Sequence, residues 1–163
     1  MPARRSFLTA TGAAAALALT GDLPGLGPVG IPHRTDNRPL FTLGVASGDP
    51  LPDAVVIWTR LAPGPLEPFG GMDDRPVNVD WEVAEDETFR RVVRRGTAHA
   101  RPEYAHTVHV DVRGLRPWRH YFYRFRAKGQ LSPVGRTRTA PAPQDQPAVT
   151  LAVASCQAIY DGY

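Results

Sequence analysis

Between Phe41 and Thr139 apolar residues recur at alternate positions in short runs, and each run is closed by turn-forming residues. That is the signature of β-strands with one face buried. Phe41–Ser47 reads as a first strand, stopped by the turn sequence Gly48-Asp49-Pro50. Ala54–Arg60 is a second, rich in β-branched and aromatic residues. Val56 and Trp58 share one of its faces, and Trp58 is expected to be the large aromatic of the core. Pro63–Pro76 reads as a loop. Val77, Val79, Trp81 and Val83 then alternate with Asn78, Asp80 and Glu82, which gives Trp81 a structural role. Phe89, Val92 and Val93 suit a helix face as well as a strand. The neighbouring strands, and acidic residues from Asp80 to Glu87 able to pair across a hairpin, favour a strand over Arg91–Ala98. Val108, Val110 and Val112 alternate again, as do Tyr121, Tyr123 and Phe125, and a last run covers Ser132–Thr139.

Seven strands within about 100 residues are the count and size of an all-β, immunoglobulin/fibronectin type III-like sandwich. Gly114-Leu115-Arg116-Pro117-Trp118-Arg119-His120-Tyr121 strengthens this, because it resembles the fibronectin type III turn that builds a tyrosine corner. Tyr121 is expected to bond to the backbone a few residues upstream. These roles are structural, and no catalytic residue is assigned within the sandwich, placed at residues 40–140.

The chain has 163 residues, 42% hydrophobic and 21% charged, a balance that excludes a polytopic membrane protein and a wholly disordered one. Its 15 Gly and 17 Pro favour short strands and turns over long helices. Lys and Arg total 19 against 16 Asp and Glu, and Lys128 is the only lysine. The net charge of +3 is small for a nucleic-acid binder, so the arginines read as solvated groups on strand faces. A single cysteine, Cys156, excludes a disulfide-stapled scaffold.

Both ends differ from the middle. Residues 1–20 begin Met1-Pro2-Ala3-Arg4-Arg5-Ser6-Phe7-Leu8 and continue into an Ala-rich apolar stretch too short to span a bilayer. Arg4, Arg5, Phe7 and Leu8 resemble the core of a twin-arginine export signal, with Thr9 where a Lys is usual. The expected partner is the twin-arginine machinery and the expected location periplasmic, cell-wall or extracellular. Repeated Gly and Pro over residues 21–39 read as a flexible tether. At the other end, residues 141–163 combine a short linker with the continuous apolar run Ala148–Ala154, the pattern of a strand buried on both faces of an α/β sheet. Cys156 follows, where such sheets place their ligands.

Other chemistry is excluded on spacing. Gly44-Val45-Ala46-Ser47-Gly48 does not space its serine as a nucleophile elbow requires. His106 and His109 differ by three and fall on opposite faces of a strand, so they do not converge on one metal. With His33, His99 and His120 they read as surface or pocket residues. No phosphate-binding glycine loop and no paired-cysteine zinc site occurs.

Val45-Ala46-Ser47-Gly48-Asp49-Pro50, Val55-Val56-Ile57-Trp58-Thr59-Arg60, Val134-Gly135-Arg136-Thr137-Arg138-Thr139 and Ala154-Ser155-Cys156-Gln157 with Asp161-Gly162-Tyr163 together resemble the PhoD-like family of secreted alkaline phosphatases/phosphodiesterases. The resemblance implies a twin-arginine signal, a fibronectin-like domain and then a metallophosphatase domain that begins near the last residues given. It implies iron and calcium as cofactors, Cys156 as an iron ligand, and a phosphate ester as substrate. The remaining ligands have no counterpart among these residues. The expectation is therefore an inactive fragment that binds neither metal tightly, taken from a phosphate-releasing hydrolase. The rival reading is a non-catalytic exported binding or interaction module.

Overall fold

Two antiparallel sheets face each other across one core. The strands are β1 (Val45–Gly48), β2 (Ala54–Arg60), β3 (Val77–Ala84), β4 (Val92–Ala100), β5 (Thr107–Arg113), β6 (His120–Ala127), β7 (Gln130–Leu131) and β8 (Gly135–Arg138). The structure, a computed structural model, describes residues 37–145, 147–148, 150 and 152–153. One sheet runs β1-β2-β5; the other runs β4-β3-β6, with β7 and β8 both paired to β6. The architecture is an all-β, fibronectin type III-like sandwich.

Alternation fills the core. Val55, Ile57 and Thr59 of β2 stand opposite Val112, Val110 and Val108 of β5. Val79 and Val83 of β3 lie in the same sheet as Tyr121, Tyr123, Phe125 and Ala127 of β6, and together they fill the core from the other side. Tyr123 and Phe125 pack edge to face, their centroids 6.3 Å apart. Thr59 is the polar member of this face, and its hydroxyl donates to the Gly44 carbonyl at 2.9 Å.

Several expectations change. The first strand starts at Val45, not Phe41, because Gly44 adopts φ +70° and its N–H closes a turn onto the Phe41 carbonyl at 3.0 Å. Leu40 and Phe41 turn inward instead, into the core. Ordered contacts also begin before the expected end of the tether: Gln130 donates to the Arg38 carbonyl and accepts from the Leu40 N–H, each at 3.0 Å. Within the last run only Gly135–Arg138 is a strand, β8, and the short β7 lies before it. Pro133 has no N–H to give, and Ser132 uses its hydroxyl to accept from the Phe125 N–H at 2.9 Å, so pairing is interrupted between Leu131 and Gly135. Ala148, Thr150, Ala152 and Val153, the described members of the expected buried strand, lie in no strand and are exposed. No described strand pairs with them or covers them.

Trp58 is the clearest correction. It shares a face with Val56 as expected, but that face points away from the core, opposite Ala46 and His109. Both faces of β2 are apolar, and its partners decide: β5 offers three valines on one side and His109 and Asp111 on the other. Trp81 lies on the inner side, half-buried over Gly96 and packed against the core.

The stretch left ambiguous between helix and strand is β4, and its hairpin with β3 is tied by Asp86. The Asp86 carboxylate accepts from the Thr88 hydroxyl at 2.5 Å and from the Arg90 and Arg91 N–H groups at 3.1 and 2.8 Å. The Thr88 bond foremost, then the two amides and the Arg91 charge, hold its pKa down at about 2. A carboxylate depressed in the folded state stabilises fully above its unfolded pKa near 4 and loses that contribution as pH falls through about 2. Asp86→Ala is therefore expected to melt below the parent at pH 7, and the gap should close between about pH 4 and pH 2. A gap of the same size at both ends of that window would show that Asp86 acts through something other than its charge.

Candidate functional site

The corner before β6 forms as the sequence indicates. Gly114, at φ +74°, turns the chain, and the Leu115 N–H donates to the Asp53 carbonyl at 2.9 Å. The Arg116 N–H then donates to the Tyr121 phenol oxygen at 2.9 Å, five residues upstream of that tyrosine. The same corner holds the end of the sandwich. Thr139 donates its hydroxyl to the Arg116 carbonyl at 2.7 Å, and the Trp118 N–H reaches the Ala140 carbonyl at 3.0 Å. Whatever follows Ala140 thus leaves from a fixed point. Tyr121→Phe keeps the ring but removes the acceptor for Arg116. It should cost about 1–2 kcal/mol, read as a lower midpoint in chemical denaturation with an unchanged slope. A midpoint equal to the parent's would remove the corner from the account of stability.

The residues expected to carry export and metal chemistry, Arg4, Arg5, Phe7, Leu8 and Cys156, lie outside the described residues, as does His33. The other histidines do not gather with acidic side chains into one cluster among the described residues. His106 precedes β5 at φ +56° and is fully buried, with Nε2 3.1 Å from the Arg75 carbonyl. This corrects its assignment as a surface or pocket residue. The chain folds back here, with the Leu61 N–H bonded to the His106 carbonyl at 3.1 Å. His109 is exposed on the outer side of β5. His99, across the gap between the sheets, shares with His109 a groove completed by Arg101, Tyr104 and Thr107. Their spacing in sequence gives no sign of this meeting; it follows from β4 and β5 being the edge strands that border one another.

A centre of iron and calcium would need several anionic and imidazole ligands around one point. Among the described residues no three His, Cys, Asp or Glu side chains gather into such a set. The sandwich does not fit that centre by its own residues. Tyr123 is held above the usual phenol range by burial, which the Ser47 hydroxyl bond only partly opposes. It is a core residue, not a proton donor for chemistry at the surface. Among the described residues no helix is long and apolar enough to cross a membrane.

Comparison with known proteins adds what the geometry lacks. A family model described as the N-terminal domain of PhoD-like phosphatases matches residues 28–141. The chain is 50% identical to alkaline phosphatase D of Bacillus subtilis (strain 168) over 98% of its own length, but covers 28% of that relative. A solved structure titled "Structure of PhoD" is 60% identical over 64% of this chain, with a TM-score of 0.63, and this chain covers 20% of it. The sequence given thus spans between a fifth and a third of these longer relatives.

Proposed function

As the chain belongs to the PhoD-like phosphatase family, matched over its N-terminal domain, we propose that it is the leading portion of an exported, metal-dependent alkaline phosphatase/phosphodiesterase. In this reading residues 1–20 direct folded export through Arg4, Arg5, Phe7 and Leu8, and residues 21–39 form the tether. The sandwich at residues 40–140 is the fibronectin-like domain, and residues 141–163 open the metallophosphatase domain. Cys156 is a ligand to iron in a centre that also holds calcium, whose other ligands come from polypeptide beyond Tyr163. The metals, when bound, supply Lewis acidity toward the phosphate ester. The 50% identity that persists along 98% of this chain carries the proposal, because it extends past the sandwich into the segment that holds Cys156.

The sandwich itself supplies support, not chemistry. Its core is closed by its own two sheets, and the Tyr121 corner fixes the point from which the next segment departs. Residues 1–163 alone are accordingly inactive toward p-nitrophenyl phosphate and bind iron weakly, whereas the longer polypeptide hydrolyses the ester. The experiment is to assay both side by side, with iron and calcium supplied. Turnover by the 163-residue chain that depends on Cys156, or none by the longer polypeptide, would overturn the assignment. The self-contained core also favours a second reading, an exported interaction module, which the second outcome would leave standing.

A further inference from the structure

The two outer faces of the sandwich differ in chemistry. On the larger sheet Arg95, Arg124, Arg126, Arg136 and Arg138 share the outer face with two carboxylates, a surface suited to water. On the smaller sheet the outer positions of β1 and β2 hold no charge before Arg60. Trp58 stands opposite Ala46, and Val56 opposite Gly48. Ala46 and Gly48 are exposed, and a Cβ at Gly48 would meet nothing within 4 Å. This edge is almost bare backbone, low enough for another layer to come close over Val56 and Trp58. On β5 the outer positions turn polar, with His109 and then Asp111, which accepts from Arg113 Nε at 2.7 Å.

The chain also leaves the sandwich at this sheet. β8 borders β1, and beyond it the Ala140 N–H donates to the Leu51 carbonyl at 3.1 Å, in the turn that joins β1 to β2. Leu51 is itself 50% exposed. Ala142 is buried, so the chain is still held against the sandwich two residues past that bond. Most of the related polypeptide lies outside these residues, since this chain covers 28% of the Bacillus subtilis relative. The seven residues of β2 with the strands on either side make a face of roughly 15 by 20 Å. Counted on both sides, that reaches the lower end of interfaces between domains, about 600 Å².

We propose that the outer face of β1 and β2 is the seat of the domain that follows residue 140, with Trp58 as its anchor. This seat rests on the reading of residues 141–163 as the start of that domain, and adds which surface of the sandwich carries it. Val56 and Trp58 side by side gain nothing from water. Under a second layer both are transferred out of it, and tryptophan is enriched at the centres of such contacts. The arginine-bearing face of the larger sheet stays open to solvent.

The test compares hydrogen exchange in the 163-residue chain and in the longer polypeptide, and needs no variant. Amides of β1 should exchange at least about 10-fold more slowly in the longer polypeptide, and those of β4, an edge of the other sheet, should change by less than about 3-fold. A cysteine label gives a second reading. Ala46→Cys should react with a maleimide at least about 10-fold more slowly in the longer polypeptide, and Thr97→Cys, on the outer face of the larger sheet, should react within about 2-fold in both. The modified peptide is identified by mass, so that Cys156 is counted apart. Ala46→Arg should leave the melting temperature of the 163-residue chain within about 2 °C of the parent, yet return β1 exchange in the longer polypeptide to the rate of the short chain. Equal rates at β1 and at position 46 in both chains would overturn the proposal, as would equal slowing at position 97. A 163-residue chain that is dimeric by light scattering, with position 46 already protected, would overturn it too and give the face to a second copy. Turnover enters none of these readings. Protection of position 46 in a longer polypeptide that hydrolyses no phosphate ester would remove the hydrolase assignment and leave the docking in place.

Discussion

Replacing Cys156 by alanine in the whole polypeptide is expected to lower phosphate-ester hydrolysis by at least about 100-fold, near 2.7 kcal/mol of transition-state stabilisation. The proposed ligand role sets the size. Alanine removes a soft anionic donor outright, and loss of even an outer-shell partner costs about 10–100-fold in metal affinity or activity. Iron content should fall in parallel, measured by elemental analysis of the purified protein. The sandwich should melt as before, because its described core is built from side chains between Leu40 and Ala127. Unchanged iron content and activity would identify Cys156 as a packed apolar side chain and remove the support for a metal centre here. Serine at the same position should not rescue, since a neutral hydroxyl is a poor replacement for a thiolate on iron.

The second large effect concerns Gly135, where valine should cost about 3 kcal/mol or more. Gly135 pairs with Tyr123 across β6 and β8, and the tyrosine ring lies over the space where a side chain would stand. A Cβ there would come within 2.6 Å of Tyr123 Cε1 and Oη. The ring has little room to retreat, being 2% exposed and packed against Phe125. Strand propensity favours valine by up to about 1 kcal/mol, so a net loss isolates the clash. A fall in melting temperature of roughly 10–20 °C is expected. On a Tyr123→Ala background, Gly135→Val should cost much less, and an equal cost in both backgrounds would show that the ring is not the cause.

Gly96 repeats the device on β3 and β4, with the Trp81 ring lying 2.7 Å from where its Cβ would be. An isolated glycine inside an alternating strand is a visible signal of close approach, but only the register names the aromatic that approaches. The histidines divide the same way. That His106 and His109 do not share a site follows from their spacing, whereas the burial of His106 depends on the chain folding back over it to Leu61 and Arg75.

Local pattern alone determined the main strands, their limits within a few residues and the tyrosine corner. Each rests on short-range geometry: side chains alternate every two residues, and proline and glycine close the runs. Which side of β2 faces inward, which arginines share a sheet face, and which glycines lie beneath aromatic rings were decided by pairing between strands distant in sequence. A strand apolar on both faces carries no internal preference, and a total charge of +3 does not say where the charge sits. Both are settled only when β5 brings its valines to one side of β2, and β4, β6 and β8 bring their arginines to one face of a sheet.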